Sequence, residues 1–173
     1  MSASITPATR ADIPALLRLV NAAYRGDAAR AGWTHEADLI EGEQRTDTTE
    51  LAEKISHPGA VILKYTDASA GLQACVYLEK RAADLYLGML SVDPRLQGSG
   101  IGKRLLEAAE VHARRIGCNA VLMSVISVRT ELIDWYNRQG YVPTGDTEPF
   151  PEEERFGRPR QPLEFVWLRK ELQ

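Results

Sequence analysis

Cysteine, histidine and long apolar runs are scarce in this 173-residue chain, and each shortage excludes a class of protein. The two cysteines, Cys75 and Cys118, lie in apolar segments without a CxxC pair or a neighbouring histidine, so we expect neither a disulfide framework nor a metal site. No apolar stretch reaches the roughly 20 residues that a membrane-spanning helix needs. Residues 1–10 lack the charged and apolar regions of a secretory signal, so we expect a cytoplasmic protein with no membrane partner.

An excess of positive charge is also missing. The formal net charge is −3 and the pI is about 5.7, so no overall basic field is available to bind nucleic acid. The hydrophobic fraction of 44% and the charged fraction of 26% are ordinary for a globular protein. The length suits a single domain over residues 1–173.

Apolar periodicity predicts an α/β (α+β) fold in which helices flank a mixed sheet. A short strand at residues 4–6 precedes a helix whose apolar side chains recur from Ile13 to Tyr24. Residues 26–48 are polar and irregular, and connections of this length are uncommon unless they serve a function. The next predicted elements are a short helix at 49–56 and a β-meander with strands at 60–65, 72–79 and 84–92.

The second half of the chain alternates helices and strands. The strand at 84–92 is apolar on both faces, which is typical of a central strand covered on both sides. Residues 145–162, rich in Pro, Glu and Arg, are predicted to form a long charged loop. The remaining predicted elements are a helix at 101–116, a strand at 120–125, a helix at 130–139 and strands at 141–144 and 163–168.

The most specific signal lies between the buried strand and the helix that follows it, and reads Gln97-Gly98-Ser99-Gly100-Ile101-Gly102-Lys103-Arg104. Free N–H groups and the positive dipole end at a helix start form an anion site, and glycines let the backbone approach a phosphate. A Walker loop is excluded because Gln97 and Arg104 stand where it needs Gly and Ser or Thr. A dinucleotide fingerprint would follow the first strand of a βαβ unit rather than a meander. The pattern Gln/Arg-x-x-Gly-x-Gly/Ala fits without exception at Gln97, Gly100 and Gly102.

Over nearly its whole length the chain resembles the GNAT superfamily of acetyl-CoA-dependent N-acetyltransferases. The resemblance is carried by this turn, by Val92-Asp93-Pro94 before it and by Trp135-Tyr136-Asn137-Arg138-Gln139-Gly140-Tyr141 near the end. It implies a mostly antiparallel, mixed central sheet flanked by helices. Strands 4 and 5 of that fold, here 84–92 and 120–125, would be splayed so that the pantetheine arm lies between them like an added strand. A homodimer is a further family-level expectation.

The resemblance implies that acetyl-CoA is the co-substrate and that the turn amides bind its pyrophosphate. Arg95, Lys103 and Arg104 form a local basic cluster suited to phosphates. Many relatives have Asn seven residues before the helix tyrosine, whereas this chain has Arg129, so the contacts of that helix start depart from the family pattern. The expected cofactor-binding residues are Leu90, Ser91, Val92, Arg95, Gln97, Gly98, Ser99, Gly100, Ile101, Gly102, Lys103, Arg104, Arg129 and Tyr136.

The implied reaction moves the acetyl group to a primary amine of a small molecule or peptide by direct attack in a ternary complex. Tyr136 matches the family's tyrosine beside the coenzyme sulfur, and a phenol can donate a proton to a departing thiolate. The N–H of Leu90 is expected to stabilise charge on the thioester oxygen. Three alternatives remain for the removal of the amine proton: Glu79 acts as the base, Glu43 acts as the base, or the proton leaves through water and backbone carbonyls.

In this family the acceptor pocket is built by the loop after the first helix and by the loop before the last strand. The expected acceptor-binding residues are Trp33, Glu43, Arg45 and Phe150. The same two loops also offer His35, Glu36, Glu152, Glu153, Glu154, Arg155 and Arg158. Arg45 could bind a substrate carboxylate, and the glutamates could attract a cationic amine. Amino acid, polyamine, aminoglycoside and peptide N-terminus all stay open.

Two other functions fit parts of the same pattern. A non-catalytic acyl-CoA sensor would keep the fold and the turn, but binding alone does not require the Tyr136 hydroxyl. A nucleotide-binding protein could use the glycine turn for a different phosphate ligand.

Overall fold

The computed structural model describes residues 3–151 and 157–173, and one large sheet dominates them. The helices are α1 (Ile13–Tyr24), α2 (Gly26–Ala29), α3 (Thr48–Ser56), α4 (Ile101–Arg115) and α5 (Thr130–Arg138). The strands are β1 (Ala3–Pro7), β2 (Ile40–Glu41), β3 (Ala60–Asp67), β4 (Gly71–Arg81), β5 (Asp84–Val92), β6 (Ala120–Ile126), β7 (Val142–Pro149), β8 (Arg158–Pro159) and β9 (Glu164–Glu171). Short 3-10 turns at 10–12 and 94–96 precede α1 and the glycine-rich turn.

The sheet has the order β1-β3-β4-β5-β6-β9-β7, with β5 at its centre as predicted. The pairings are antiparallel except that of β5 with β6, which is parallel. These two strands pair only at Leu85 with Val121 and at Tyr86 with Leu122. Beyond Tyr86 they separate, so a gap opens toward the C-terminal end of β5. The predicted fold class, a mostly antiparallel mixed sheet with splayed central strands, is confirmed.

Both faces of the sheet are covered by amphipathic helices. On one face α4 buries Leu105, Leu106 and Ala109 against Leu85, Leu87 and the residues of β6. On the other face α1 buries Leu16 and Val20 with Leu51 of α3. Because both faces are covered, β5 reads as apolar on both sides in the sequence.

A β-bulge interrupts the pairing of β4 with β5 next to the gap. The register passes from Cys75–Ser91 to Tyr77–Gly88, so Val76 faces two residues, Met89 and Leu90. Met89 has φ of 56°, a left-handed conformation that non-glycine residues seldom adopt. The bulge leaves Leu90 without a register partner in β4 or in β6.

The prediction of a loop from residue 145 to residue 162 is wrong at its start. Strand β7 continues to Pro149 and pairs with β9, for example through Thr147 with Val166. The eight residues of β7 are all exposed, so no apolar alternation marks the strand in the sequence. Farther along, β8 pairs with β2 through Ile40 and Pro159, which joins the two long connections to each other. Of the further charged residues that the second loop offers, Glu152–Glu154 and Arg155 lie outside the described residues.

A buried ionic contact ties α4 to the last strand. Glu110 is 8% exposed, accepts a hydrogen bond from the Tyr141 hydroxyl at 3.0 Å, and pairs with Lys170 Nζ at 3.0 Å.

We expect Glu110→Ala to lower the free energy of unfolding by about 2–4 kcal/mol, because it leaves the hydroxyl and the ammonium without their acceptor. Urea unfolding measures this. Glu107→Ala, at an exposed position of the same helix, is the control and should cost under about 0.5 kcal/mol; equal losses would contradict the assignment.

Candidate functional site

A cavity of about 400 Å³ lies where the gap between β5 and β6 meets the start of α4. Its walls come from the end of α1, the connection at residues 33–34, the end of β5, the glycine-rich turn and α5. The lining residues are Ala23, Tyr24, Trp33, Thr34, Leu90, Val92, Leu96, Gln97, Gly98, Gly100, Ile101, Gly102, Lys103, Arg129, Leu132, Trp135, Tyr136, Arg138 and Gln139. We call it the turn-side cavity.

The glycine-rich turn contributes five residues with unused N–H groups to the lining of this cavity. Gly98 and Gly100 have φ of 88° and 89°, a region that only glycine enters freely, and a Cβ at either would meet nothing within 4 Å. In the described part of the chain, no acceptor is found for the amides of Gly98, Gly100, Ile101, Gly102 and Lys103. Together with the positive dipole end of α4, these amides form an anion site open to a ligand. A pyrophosphate-bearing group such as that of acetyl-CoA fits this donor set.

Gln97 links the turn to the connection after α1. Its Nε2 donates to the Val92 carbonyl at 3.3 Å, and its Oε1 accepts from the Thr34 amide at 3.4 Å. A Cβ on Gly32 would lie 2.1 Å from Gln97 Oε1, so only glycine allows this close approach. The side chain of Gln97 therefore holds the two walls of the cavity together.

The basic residues of the turn have different surroundings. Lys103 lines the turn-side cavity. Arg95 is paired with Asp93 at 2.9 Å and its side chain is 81% exposed, whereas Arg104 donates to the Tyr65 hydroxyl at 3.2 Å. Of the predicted serines, Ser91 is buried and donates to the Met89 carbonyl, and Ser99 donates to the Leu96 carbonyl. The residues that line the cavity do not include Ser91, Arg95, Ser99 or Arg104.

A second, smaller cavity of about 100 Å³ is lined by residues of both β5 and β6, and we call it the acceptor-side cavity. Its lining residues are Tyr24, Glu36, Arg45, Tyr86, Leu87, Gly88, Met89, Leu90, Met123, Ser124, Val125, Ile126, Arg129, Leu132, Tyr136 and Phe165. Five residues line both cavities, namely Tyr24, Leu90, Arg129, Leu132 and Tyr136. The two cavities therefore meet at these side chains, beside the bulge of β5.

Tyr136 lies at this junction. It is 5% exposed and packs edge-on against Trp135 and Tyr141. No group in the described part of the chain hydrogen-bonds to its hydroxyl. Burial raises the pKa of Tyr136 well above the ordinary phenol value, so the hydroxyl keeps its proton at neutral pH. It is available as a hydrogen-bond donor to whatever occupies the junction.

Tyr24 holds the bulged backbone from the opposite side. Its hydroxyl donates to the Leu90 carbonyl at 2.8 Å, and burial raises its pKa to about 12, which keeps the donor protonated. The guanidinium groups of Arg45 and Arg129 lie 5.1 Å and 5.8 Å from the centre of its ring. Tyr24 thus contacts two cationic side chains through its ring and the backbone of β5 through its hydroxyl.

Glu36 joins two buried arginines. Its Oε1 accepts from Arg25 Nε at 2.9 Å and its Oε2 accepts from Arg129 Nη1 at 3.2 Å, while Arg129 Nη2 donates to Thr34 Oγ1 at 2.8 Å. The Arg129 Nε is buried without a hydrogen-bond partner among the described residues. These hydrogen bonds hold Arg129, the residue before α5, against Thr34 and Glu36 in the connection that follows α1 and α2.

The other predicted site residues are dispersed. Glu79 accepts from the Tyr77 hydroxyl at 2.5 Å and from Arg81 Nε at 2.6 Å, and it lines neither cavity. Glu43 lies beside Gly26 in a separate surface depression. Trp33 lines the turn-side cavity, and the centre of its ring lies 6.3 Å from that of Trp135. Phe150 stacks on Phe165, which lines the acceptor-side cavity, and Arg45 lines that cavity directly.

Several lining residues were not predicted as site residues from the sequence. Tyr24 was interpreted as part of the apolar face of α1, and nothing local distinguishes it from a core aromatic. Leu132 and Trp135 lie one and two helical turns after Arg129 and share the α5 face that carries Tyr136, so the spacing of that helix was the available signal. In the described residues, no helix is long and apolar enough to cross a membrane.

Two curated relatives are mycothiol acetyltransferases. That of Nocardia farcinica is 28% identical over 143 residues, which are 80% of this chain and 44% of the relative. That of Propionibacterium freudenreichii is 34% identical over 53 residues, which are 31% of this chain and 17% of the relative. This chain thus spans less than half the length of the curated relatives it matches.

Solved structures share the fold over almost the whole chain. Protein yncA of Salmonella typhimurium, solved with its cofactor acetyl-CoA, has a TM-score of 0.70 at 21% identity and covers 100% of this chain and 95% of its own. The ribosomal-protein-S18-alanine N-acetyltransferase of Escherichia coli has a TM-score of 0.72 at 14% identity, covering 99% and 95%. At these identities the likeness establishes the fold alone.

Sequence comparison with protein families completes the assignment. The model of the acetyltransferase (GNAT) family matches residues 17–141, which is more than half of the chain. The match includes the glycine-rich turn, the splayed strands and the helix that carries Tyr136. The chain therefore belongs to the acetyltransferase (GNAT) family.

Proposed function

We propose that this protein is an N-acetyltransferase that moves the acetyl group of acetyl-CoA to a primary amine in a ternary complex. The observation that carries the proposal is that the turn residues with unused amides line a cavity, which meets a second cavity at Tyr136. A coenzyme bound from one side and an amine entering from the other would meet there. Direct attack needs such simultaneous access, because both reactants must be held in contact.

The chain's residues have distinct roles in this proposal. The unused amides of the glycine-rich turn hold the pyrophosphate. The edge of β5 at Leu90 and Val92, which has no pairing with β6, accompanies the pantetheine arm as an added strand would. Acetyl-CoA supplies an activated acyl group as a thioester. The N–H of Leu90 stabilises negative charge on the thioester oxygen, and the Tyr24 bond to the Leu90 carbonyl fixes that peptide in place.

Proton movements complete the proposed chemistry. As the amine nitrogen bonds to the acyl carbon and the carbon–sulfur bond breaks, the Tyr136 hydroxyl donates its proton to the departing sulfur, and the proton that the amine loses restores the phenol. The amine proton leaves through water and backbone carbonyls. Glu79 and Glu43 are the other candidates for this step, and neither lines the turn-side or the acceptor-side cavity, so the water route has the better support.

Thiol release tests this function and separates it from its rivals. Acetyl-CoA is supplied with a panel of amines, thiol is measured, and the acetylated product is identified by mass spectrometry. We expect release with at least one amine class, and heat-shift stabilisation by CoA but not by ATP or NAD. Binding of CoA with silence over the whole panel would favour the acyl-CoA sensor, and stabilisation by ATP or NAD alone would favour the nucleotide-binding protein. The homodimer stays a prediction, which sedimentation tests.

The basic residues of the turn should contribute unequally to coenzyme binding. We expect Lys103→Ala to raise the Kd for acetyl-CoA about fivefold, because this ammonium lines the cavity. Arg95→Ala should change the Kd less than about twofold, since the guanidinium is exposed and already paired with Asp93. Isothermal titration calorimetry measures both, and a larger effect at Arg95 would contradict the placement of the phosphates.

A further inference from the structure

Arg45, in the acceptor-side cavity, has unused hydrogen-bonding groups. Its guanidinium lies over the ring of Tyr24 and comes no closer than 3.9 Å to the nearest carboxylate oxygen, that of Glu50. Within the described ranges, no hydrogen bond is found for its side-chain nitrogens. The side chain is 27% exposed, so it is held in the wall but reachable. A guanidinium placed this way can bind a carboxylate through two parallel N–H bonds.

The charges around the cavity favour an anion. Glu36 is the carboxylate among the lining residues, and both of its oxygens accept from buried arginines. Arg45 and Arg129 line the same cavity, so positive charge exceeds negative charge in its wall. A polyamine or an aminoglycoside would bring further cations against these two arginines.

Size and position restrict the acceptor further. The cavity of about 100 Å³ has room for about three water-sized groups. Tyr24 contacts both Arg45, which lies over its ring, and the Leu90 carbonyl, which accepts from its hydroxyl. Arg45, Leu90 and Tyr136 line this one small cavity, so an anion on Arg45 and an amine beside Leu90 would belong to one small molecule.

We propose that the acceptor is a small amino acid, with its carboxylate bound by Arg45 and its amino group directed toward Leu90 and Tyr136. This inference rests on the proposed acetyltransferase function and names the substrate class. It selects the amino acid over the polyamine, the aminoglycoside and the peptide N-terminus, which has no carboxylate beside its amine.

Matched pairs of acceptors test this inference. Steady-state thiol release is measured for small amino acids and for their carboxamides, with wild type, Arg45→Gln, Arg45→Lys and the control Lys54→Gln. Lys54 lies over the Tyr77 ring and lines neither cavity, so its substitution removes a nearby charge without touching the acceptor. A carboxamide loses its amine proton more readily than the acid, so a preference for the acid cannot come from amine reactivity.

We expect wild type to use an amino acid with a kcat/KM at least about tenfold above that of its carboxamide. Arg45→Gln should remove this preference by raising the KM for the acid about 10- to 100-fold. The KM for the carboxamide and the KM for acetyl-CoA should stay within about twofold of their wild-type values. Arg45→Lys should retain part of the preference, and Lys54→Gln all of it.

Three results would overturn the inference. They are equal use of acid and carboxamide, an equal loss of both substrates in Arg45→Gln, and turnover of amines without any turnover of amino acids. In each of these the proposed acetyltransferase survives, because thiol is still released. Failure of the acetyltransferase itself is recognised separately, by the absence of thiol release with every amine or by the absence of acetyl-CoA binding in the heat-shift measurement.

Discussion

Replacing Tyr136 with phenylalanine is expected to lower kcat about 100-fold or more while leaving the Kd for acetyl-CoA within about twofold. The hydroxyl borders both cavities, keeps its proton because burial raises its pKa, and has no partner in the described chain that would hold it elsewhere. Phenylalanine keeps the ring packing against Trp135 and Tyr141, so the loss should fall on turnover alone. Stopped-flow or steady-state thiol release measures kcat, and calorimetry measures the Kd.

The matched control is the neighbouring tyrosine. Tyr141 is equally buried, but its hydroxyl donates to Glu110 and it lines neither cavity. Tyr141→Phe should cost about 1 kcal/mol of stability and leave kcat within about twofold. Unchanged turnover in Tyr136→Phe would remove this hydroxyl from the chemistry.

The second large effect is expected at the turn. Gly100→Ala should raise the Kd for acetyl-CoA about 100-fold, because a methyl group at φ of 89° strains the helix start and enters the space beside the unused amides. The protein itself has room there, since a Cβ at this position would meet nothing within 4 Å. The loss should therefore appear in ligand binding, with a stability cost of only about 1–2 kcal/mol.

Gly117 provides the control for backbone strain. It has φ of 78° and equally open surroundings, but it lies at the far end of α4. Gly117→Ala should cost similar stability and leave the Kd for acetyl-CoA unchanged. Equal loss of affinity in the two variants would mean that the glycine turn acts through stability rather than through contact with the coenzyme.

The elements that could be predicted from the sequence are those whose signals are local. The strand, turn and helix around Gly98, Gly100 and Gly102 carry their requirements in consecutive residues, so the fold class could be predicted. That this turn binds a phosphate stays a prediction. The central position of β5 followed from its apolar character on both faces. Strand β7 could not be recognised beyond Thr144, because all of its residues are exposed and its pairing with β9 is its main support.

The parts of the site that depend on distant contacts could not be predicted. The bulge at Met89 and Leu90 depends on the register with β4, and the Tyr24 bond to Leu90 joins residues 66 positions apart. Likewise, the predicted bases Glu79 and Glu43 were chosen by residue type and loop, and the structure holds them away from both cavities. Arg129, noted as a departure from the family pattern, is bound to Glu36 through a contact that no local pattern encodes.

The central claim is that the unused amides of the glycine-rich turn hold the pyrophosphate of the coenzyme, and an amide-resolved NMR titration tests it most directly. With ¹⁵N-labelled protein and CoA added to millimolar excess, we expect the largest shifts at Gly98, Gly100, Ile101, Gly102 and Lys103. The Gly117 amide, which already donates to the Arg114 carbonyl, should barely move. Saturating CoA that leaves the turn amides unshifted, or a protein that does not bind CoA at all, would contradict the account.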